Sequence, residues 1–242
     1  MLKFAVIGDP VAHSRSPAIH RALLASAEID GSYEAIRIES GAGREAVLEL
    51  RARGYAGLNV TTPLKEEAFA LAETLDVVAR RSGSVNTLTL VGDRIDGANT
   101  DGIGALAALR ASGLEPADAA VLVLGVGPTA RAACVALRDA GAHVTVWNRT
   151  PERADEFVGR YDVRRFEAGL RFDAALSTLP PDATLAVAVL EALEATAIVV
   201  DANYGERATL GRRLRRAVPD GSIMLEAQAR ASFDIWRARC MP

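Results

Sequence analysis

Residues 119–131 read AAVLVLGVGPTAR, and this stretch limits the possible folds more than any other in the chain. AAVLVLG (119–125) is an unbroken apolar run of strand length. A strand apolar at every position is buried on both faces, as in a parallel sheet covered by helices. Gly125, Gly127 and Ala130 then form a G-x-G-x-x-A pattern that leads into a helical segment. Glycines allow a tight turn and close backbone approach to a pyrophosphate, and the helix N-terminus supplies free N–H groups and a positive dipole end. Pro128 is tolerated in the first turn, where its missing N–H costs little. A plain strand-to-helix turn has a similar pattern. The strand before, the helix after and a second strand beyond it favour a dinucleotide site.

The rest of the chain repeats this alternation. KFAVIG (3–8), SYEAIRI (32–38), GLNVT (57–61), AHVTVWNR (142–149), DAALST (173–178) and AIVVDAN (197–203) read as strands. Residues 85–100 read as paired strands about a Gly92-Asp93 turn. Helical patterns cover 16–29, about 42–53, from Pro63 to about Leu75, about 101–112, 128–140, from Pro151 onward, and 224–239. Ser16 before Pro17 is a cap-then-proline start. The expectation is an α/β protein of two lobes joined near residue 101, each with a largely parallel sheet.

Composition excludes several classes. A net charge of −3 and a pI near 5.7 argue against a general nucleic-acid binder. No apolar run reaches membrane-span length, and LKFAVIGDP is too short for a signal peptide. Two cysteines and three scattered histidines predict neither a disulfide framework nor a metal site, and point to a reducing cytoplasm.

The end of the strand at 142–149 indicates which dinucleotide is bound. An NAD site expects an acid about 20 residues past the glycines. This chain has Asn148-Arg149-Thr150, with Arg153 close behind. Guanidinium groups pair with a 2′-phosphate that a carboxylate would repel, so the expected cofactor is NADP. Helix-start arginines facing solvent are the simpler alternative.

A lysine marks the second chemical position. Of 28 basic residues only Lys3 and Lys65 are lysine, and Lys65 closes NVTTPLK (59–65) after a strand and a proline. An ammonium can donate a proton and take it back, whereas a guanidinium effectively cannot. The competing account is a surface lysine at a helix start.

GDPVAHSRSPAIH (8–20), NVTTPLK, SVNTL (84–88), DGANTDGIG (96–104), the glycine loop, NRT (148–150) and MLEAQARASFDIW (224–236) occur in one order. Together they resemble the shikimate/quinate dehydrogenase family over nearly the whole chain. The resemblance implies a substrate-binding, catalytic domain from 1–101 plus about 225–242. It implies a Rossmann-like NADP domain at 102–224, with the C-terminal helix returning to the first domain. The implied reaction is the reversible reduction of 3-dehydroshikimate to shikimate by NADPH, on the route to chorismate and aromatic amino acids. By the same resemblance Lys65 and Asp101 are the catalytic pair, and Ser14 and Ser16 hold the substrate carboxylate. Asn59, Thr61, Asn86, Tyr204 and Gln228 complete the substrate site. Gly125, Val126, Gly127, Pro128, Thr129, Asn148, Arg149, Thr150, Arg153, Thr178 and Ile223 meet NADP. Ile223 stands in GSIML where the family usually has a glycine, and Ser177-Thr178-Leu179 where it often shows asparagine.

Simple chemistry agrees with these roles. Ser14 and Ser16 set two hydroxyls on one side of an extended segment. Asn59 and Thr61, two apart on a strand, share a face. Ser16 as a helix cap, Asn86 as an edge-strand amide and Asp101 as an N-cap remain as structural readings. The expected partner is a small-molecule substrate, with no nucleic acid and no membrane, for a monomer or homodimer. Within the same family a broader quinate/shikimate dehydrogenase is the alternative. Outside enzymes, the alternative is a ligand sensor without chemistry.

Overall fold

The computed structural model describes residues 1–240 and divides the chain into two compact units, Met1–Thr100 with Glu226–Pro242, and Asp101–Leu225. The last two positions of the expected 225–242 segment lie outside the described residues.

In the first unit the chain runs β1 (Leu2–Gly8), α1 (Ser16–Ser26), β2 (Gly31–Arg37), α2 (Gly43–Ala52), β3 (Tyr55–Val60), α3 (Lys65–Leu71), β4 (Thr74–Leu75), α4 (Val77–Ser82), β5 (Thr87–Val91) and β6 (Arg94–Ala98). These strands form one sheet in the order β2-β1-β3-β5-β6-β4. β1 pairs in parallel with both β2 and β3, whereas β5 runs antiparallel to β3 and β6. The hairpin forces this mix, because a tight turn at Gly92-Asp93 joins only antiparallel strands. One face of the sheet packs Ala5, Ile7, Leu58, Val60, Leu64 and Leu88 with α2 and α3 residues. The other packs Phe4, Val6, Leu23, Leu24, Tyr33, Phe233 and Trp236. Alternating residues of β1 thus serve two cores, as a strand's period of two requires.

The helix expected to continue to about Leu75 stops at Leu71. Ala72 is already extended (ψ 131°), Glu73 N–H donates to Ile95 O at 2.8 Å, and Thr74–Leu75 pair with β6. Edge pairing captures a segment whose composition alone favours helix. Asp76 then caps α4 by accepting from Ala79 N–H at 2.6 Å.

In the second unit the chain runs α5 (Asp101–Ala111), β7 (Ala120–Leu124), α6 (Pro128–Asp139), β8 (His143–Trp147), α7 (Pro151–Tyr161), β9 (Arg164–Arg165), β10 (Ala174–Ser177), α8 (Val187–Ala195), β11 (Ile198–Asp201) and α9 (Leu210–Leu214). The sheet is parallel throughout, in the order β11-β10-β7-β8-β9. β7 lies at its centre, and Val121, Leu122, Val123 and Leu124 are all fully buried. Val121 and Val123 pack into one core, Leu122 and Leu124 into another, so helices cover both faces. α10 (Ser222–Cys240) ends the described chain and supplies Met224 to the second unit's core and Phe233 and Trp236 to the first's. Among the described residues no helix is long and apolar enough to cross a membrane.

Candidate functional site

In the first unit the polar residues gather at the C-terminal ends of β1 and β3 and along one face of α10. Ser14 is half-buried and Ser16 is buried at the start of α1, with Ser16 N–H donating to Ser14 Oγ at 3.2 Å. Arg15, not Ser16, occupies the N-cap position, and no side chain caps the helix. The cap role considered for Ser16 is therefore not taken up. Thr61 follows β3, its N–H donating to Ile7 O at 2.9 Å. Lys65 opens α3 and is only 6% exposed, with its carbonyl accepting from Val85 N–H at 3.0 Å. The surface-lysine account does not hold, since lysine is rarely buried without a polar partner or a function.

Asn86 is buried, and a backbone group sets its orientation. Thr100 N–H, which is only a donor, lies 2.9 Å from Asn86 Oδ1, so Nδ2 is the face turned to Thr100 Oγ1 (3.0 Å) and Gln228 Oε1 (3.3 Å). Gln228 is thus brought to Asn86 across 142 positions of sequence.

Asn59 joins the same network. Its Oδ1 accepts from the Tyr33 hydroxyl at 2.7 Å. Its Nδ2 donates to Ser232 Oγ (3.0 Å) and Asn86 O (3.2 Å), with Thr87 Oγ1 at 3.4 Å. Its amide is thus bonded on both sides within the protein, as that of Asn86 is. Tyr33, Thr87, Thr100 and Ser232 were absent from the sequence-derived site. All four are 3% exposed or less. Ser232 alone carried a local signal, because it lies four residues past Gln228 on the same helix face.

Around Tyr33 the surroundings are aromatic. His20 stacks on it with ring centroids 4.3 Å apart and planes 2° from parallel, and Trp236 lies 5.3 Å from His20. Burial drives the His20 imidazole down from 6.5 to about 3, and the nearby Asn59 amide offsets little of this. Burial likewise raises the Tyr33 phenol well above its usual range.

In the second unit Asp101 is the first residue of α5, 2% exposed, and accepts from Thr129 Oγ1 at 3.4 Å. Gly125 has φ +102°, and a β-carbon there would lie 2.7 Å from Thr178 Oγ1, so both conformation and space require glycine. Thr178 in turn donates from Oγ1 to Leu124 O at 2.9 Å. No side chain caps α6 at Gly127, and nothing lies within 4 Å of where its β-carbon would stand. The loop of Val126, Gly127, Pro128 and Thr129 therefore leaves room at the start of α6, which suits a pyrophosphate.

Asn148 folds its Nδ2 onto Thr150 O at 3.0 Å, and Thr150 precedes Pro151 at the start of α7. Arg149 and Arg153 are exposed there, and neither enters an ion pair among the described residues. Two exposed guanidinium groups at the end of β8, where an NAD site would carry an acid, fit a 2′-phosphate. Tyr204 is half-buried and precedes a short 3-10 turn. Its loop is joined to 220–222 by Gly221 N–H to Asn203 O (2.8 Å) and Gly205 N–H to Asp220 Oδ2 (3.2 Å). Ile223 lies in the first turn of α10, 43% exposed.

Residues 6–88 match the family model described as Shikimate dehydrogenase substrate binding domain, and residues 106–216 the one described as Shikimate / quinate 5-dehydrogenase. A shikimate dehydrogenase (NADP(+)) of Thermus thermophilus is 41% identical over 98% of this chain and 92% of its own. One from Acidiphilium cryptum is 52% identical over 62% of this chain, a match spanning 54% of that relative. Among solved structures, shikimate dehydrogenase of Aquifex aeolicus superposes with a TM-score of 0.88 at 30% identity, covering 100% of this chain and 94% of that one. The enzyme of a second Thermus thermophilus strain, in complex with NADP(H) and shikimate, gives 0.86 at 36% identity, covering 98% and 94%.

Proposed function

Because the chain belongs to the shikimate dehydrogenase family, we propose that it catalyses the reversible, NADP-dependent reduction of 3-dehydroshikimate to shikimate, with Lys65 and Asp101 as its acid–base residues. The observation that carries this reading is the burial of Lys65, one of only two lysines, at the helix start that follows β3.

The first unit offers what a hydroxylated acid needs. Ser14 and Ser16 each bring a hydroxyl that donates to the carboxylate. Thr61, Asn86 and Gln228 hydrogen-bond the ring hydroxyls, while Asn59 stands behind them and holds Asn86 and α10 in place. When bound, NADPH supplies the hydride that reduces the ketone carbon. As negative charge grows on the carbonyl oxygen, the Lys65 ammonium donates its proton there, and in the reverse direction the neutral amine takes it back. Arginine at this position would keep the charge and lose the proton transfer. Asp101, the second acid–base residue, accepts a substrate hydroxyl. Tyr204 borders the nicotinamide end of the site.

In the second unit Gly125 to Thr129 would hold the pyrophosphate, and Asn148, Arg149, Thr150 and Arg153 the adenosine 2′-phosphate. Thr178 and Ile223 would border the nicotinamide. We place the enzyme in the cytoplasm, where its two cysteines stay reduced, both being free thiols. It acts as a monomer or homodimer.

The test is a steady-state assay of purified protein with shikimate and NADP, followed by the absorbance of reduced nicotinamide, with quinate and NAD as comparators. Turnover with shikimate and NADP well above the other three pairings is the expected result. Ligand binding without turnover would instead identify a sensor.

A further inference from the structure

Behind the residues assigned to the substrate lies a cluster of hydroxyls, Thr87, Thr100 and Ser232, each 1% exposed or less. Ser232 stands at its centre. Its Oγ is 2.7 Å from Thr87 Oγ1 and 3.2 Å from Thr100 Oγ1, accepts from Asn59 Nδ2 at 3.0 Å, and donates to Gln228 O at 2.9 Å. Thr87 Oγ1 also lies 2.9 Å from Asn86 Oδ1, and its single proton serves either that oxygen or Ser232 Oγ. The Asn86 side chain therefore leads back to this serine in two hydrogen bonds and that of Gln228 in three.

The orientation of the amides follows from three backbone groups whose polarity is unambiguous. Thr100 N–H only donates, so Asn86 Oδ1 accepts and Asn86 Nδ2 donates to Gln228 Oε1 and Thr100 Oγ1. Asn86 O only accepts, so Asn59 turns Nδ2 toward it and Oδ1 toward the Tyr33 hydroxyl. Gln228 O only accepts, so it takes the Ser232 proton, and Ser232 Oγ is left to accept from Asn59. With Oε1 turned to Asn86, Gln228 has its Nε2 hydrogens to offer elsewhere.

We propose that Ser232 is a positioning residue of the substrate site, tying the helix that carries Gln228 to Asn59, Thr87 and Thr100 and so holding the Gln228 amide beside Asn86. This rests on the assignment of Gln228 to a ring hydroxyl. Ser232 touches no ligand. Without it Asn59 Nδ2 loses a partner, Thr87 and Thr100 lose their shared neighbour, and the Gln228 amide is less firmly placed. A buried donor left without a partner is penalised enough to shift such equilibria on the order of tenfold.

The experiment compares wild type with Ser232→Ala, Ser232→Thr, Thr87→Val and Gln228→Ala, measuring KM for shikimate, KM for NADP, kcat and the thermal midpoint. Ser232→Ala should raise KM for shikimate about tenfold while leaving KM for NADP and kcat within about twofold. Ser232→Thr, which keeps the hydroxyl, should restore most of that loss. Thr87→Val removes the adjoining hydroxyl at nearly constant volume and should act in the same direction, so the inference stands or falls even if one serine variant folds poorly. An unchanged KM for shikimate in both Ser232→Ala and Thr87→Val, with Gln228→Ala impaired, overturns the inference and leaves the substrate assignment intact. A parallel rise of both KM values with a lowered midpoint also overturns it, because that reports a packing defect. If Gln228→Ala itself binds shikimate normally, the substrate assignment fails.

Discussion

Replacing Gly57 by alanine would test how α10 is held at the substrate site. Gly57 sits in β3, and an added β-carbon would lie 2.4 Å from Trp236 Nε1, 2.6 Å from Cε2 and 2.9 Å from Cδ1. Ordinary carbon contacts begin near 3.5 Å, so the ring must move by roughly an ångström. It has little freedom to do so. Trp236 is 0% exposed, stacks on Phe4 at 4.8 Å, lies 5.3 Å from His20, and donates from Nε1 to Leu88 O at 3.0 Å. Overpacking of this kind costs about 1–3 kcal/mol, and breaking the buried indole bond adds about 1–3. Against a total stability of about 5–15 kcal/mol, the sum is a large fraction. The thermal midpoint, followed by near-ultraviolet circular dichroism, should fall by roughly 5–15 °C. Gln228 lies eight residues, or about 12 Å, up the same helix, so KM for shikimate should rise as well. Trp236→Phe removes the clashing Nε1 atom and narrows the ring. In the Gly57→Ala background it should therefore cost less than it does alone, giving a favourable coupling in the double-mutant cycle. A midpoint within a degree or two of wild type, or strictly additive costs, would refute this account of the anchor.

Further outcomes can be stated for the catalytic, cofactor and titrating groups. Lys65→Arg and Lys65→Ala should both lose roughly a hundredfold or more in kcat with only a small change in NADPH affinity, measured by steady-state kinetics and fluorescence titration. Near-normal turnover in the arginine variant would exclude proton transfer by this residue. Arg149→Ala should narrow the preference for NADPH over NADH by roughly tenfold or more, as loss of a charge-assisted bond to the 2′-phosphate requires. An unchanged ratio would place that phosphate elsewhere. His20 stays neutral in the folded protein down to about pH 3, whereas in the unfolded chain it takes a proton near 6.5. Its contribution to stability is therefore full above pH 6.5 and is lost as pH falls toward 3, by about 2 kcal/mol between pH 6.5 and 5. Urea midpoints of wild type and His20→Phe over that range should diverge accordingly, and parallel curves would contradict the burial of a neutral imidazole.

Much of the architecture was legible because it is written in local periodicity. The apolar run at 119–125 demanded a strand covered on both faces, and β7 is the central strand of a parallel sheet. The Gly92-Asp93 turn required a hairpin, and β5 and β6 form it. The segment after Pro63 misled because its composition favours helix while its last residues pair with β6, a partner some twenty positions on. Strand alternation puts Asn59 on one face with Thr61, but only the fold shows that Tyr33 and Ser232 bond its amide there.

The sequence by itself determined the order of strands and helices, the glycine loop that only glycine can form at φ +102°, the arginines after β8 and the single lysine after β3. Each depends on residue type and near neighbours, so each leaves a local trace. Tertiary structure alone decided which amide hydrogens remain available. Thr87 and Ser232 meet across 145 positions, Asn59 and Ser232 across 173, and no pattern in either segment announces the other. Hydrogen-bond polarity propagates through such contacts from fixed backbone donors and acceptors, so the donor offered by Gln228 is set by Thr100, a residue 128 positions away, through Asn86.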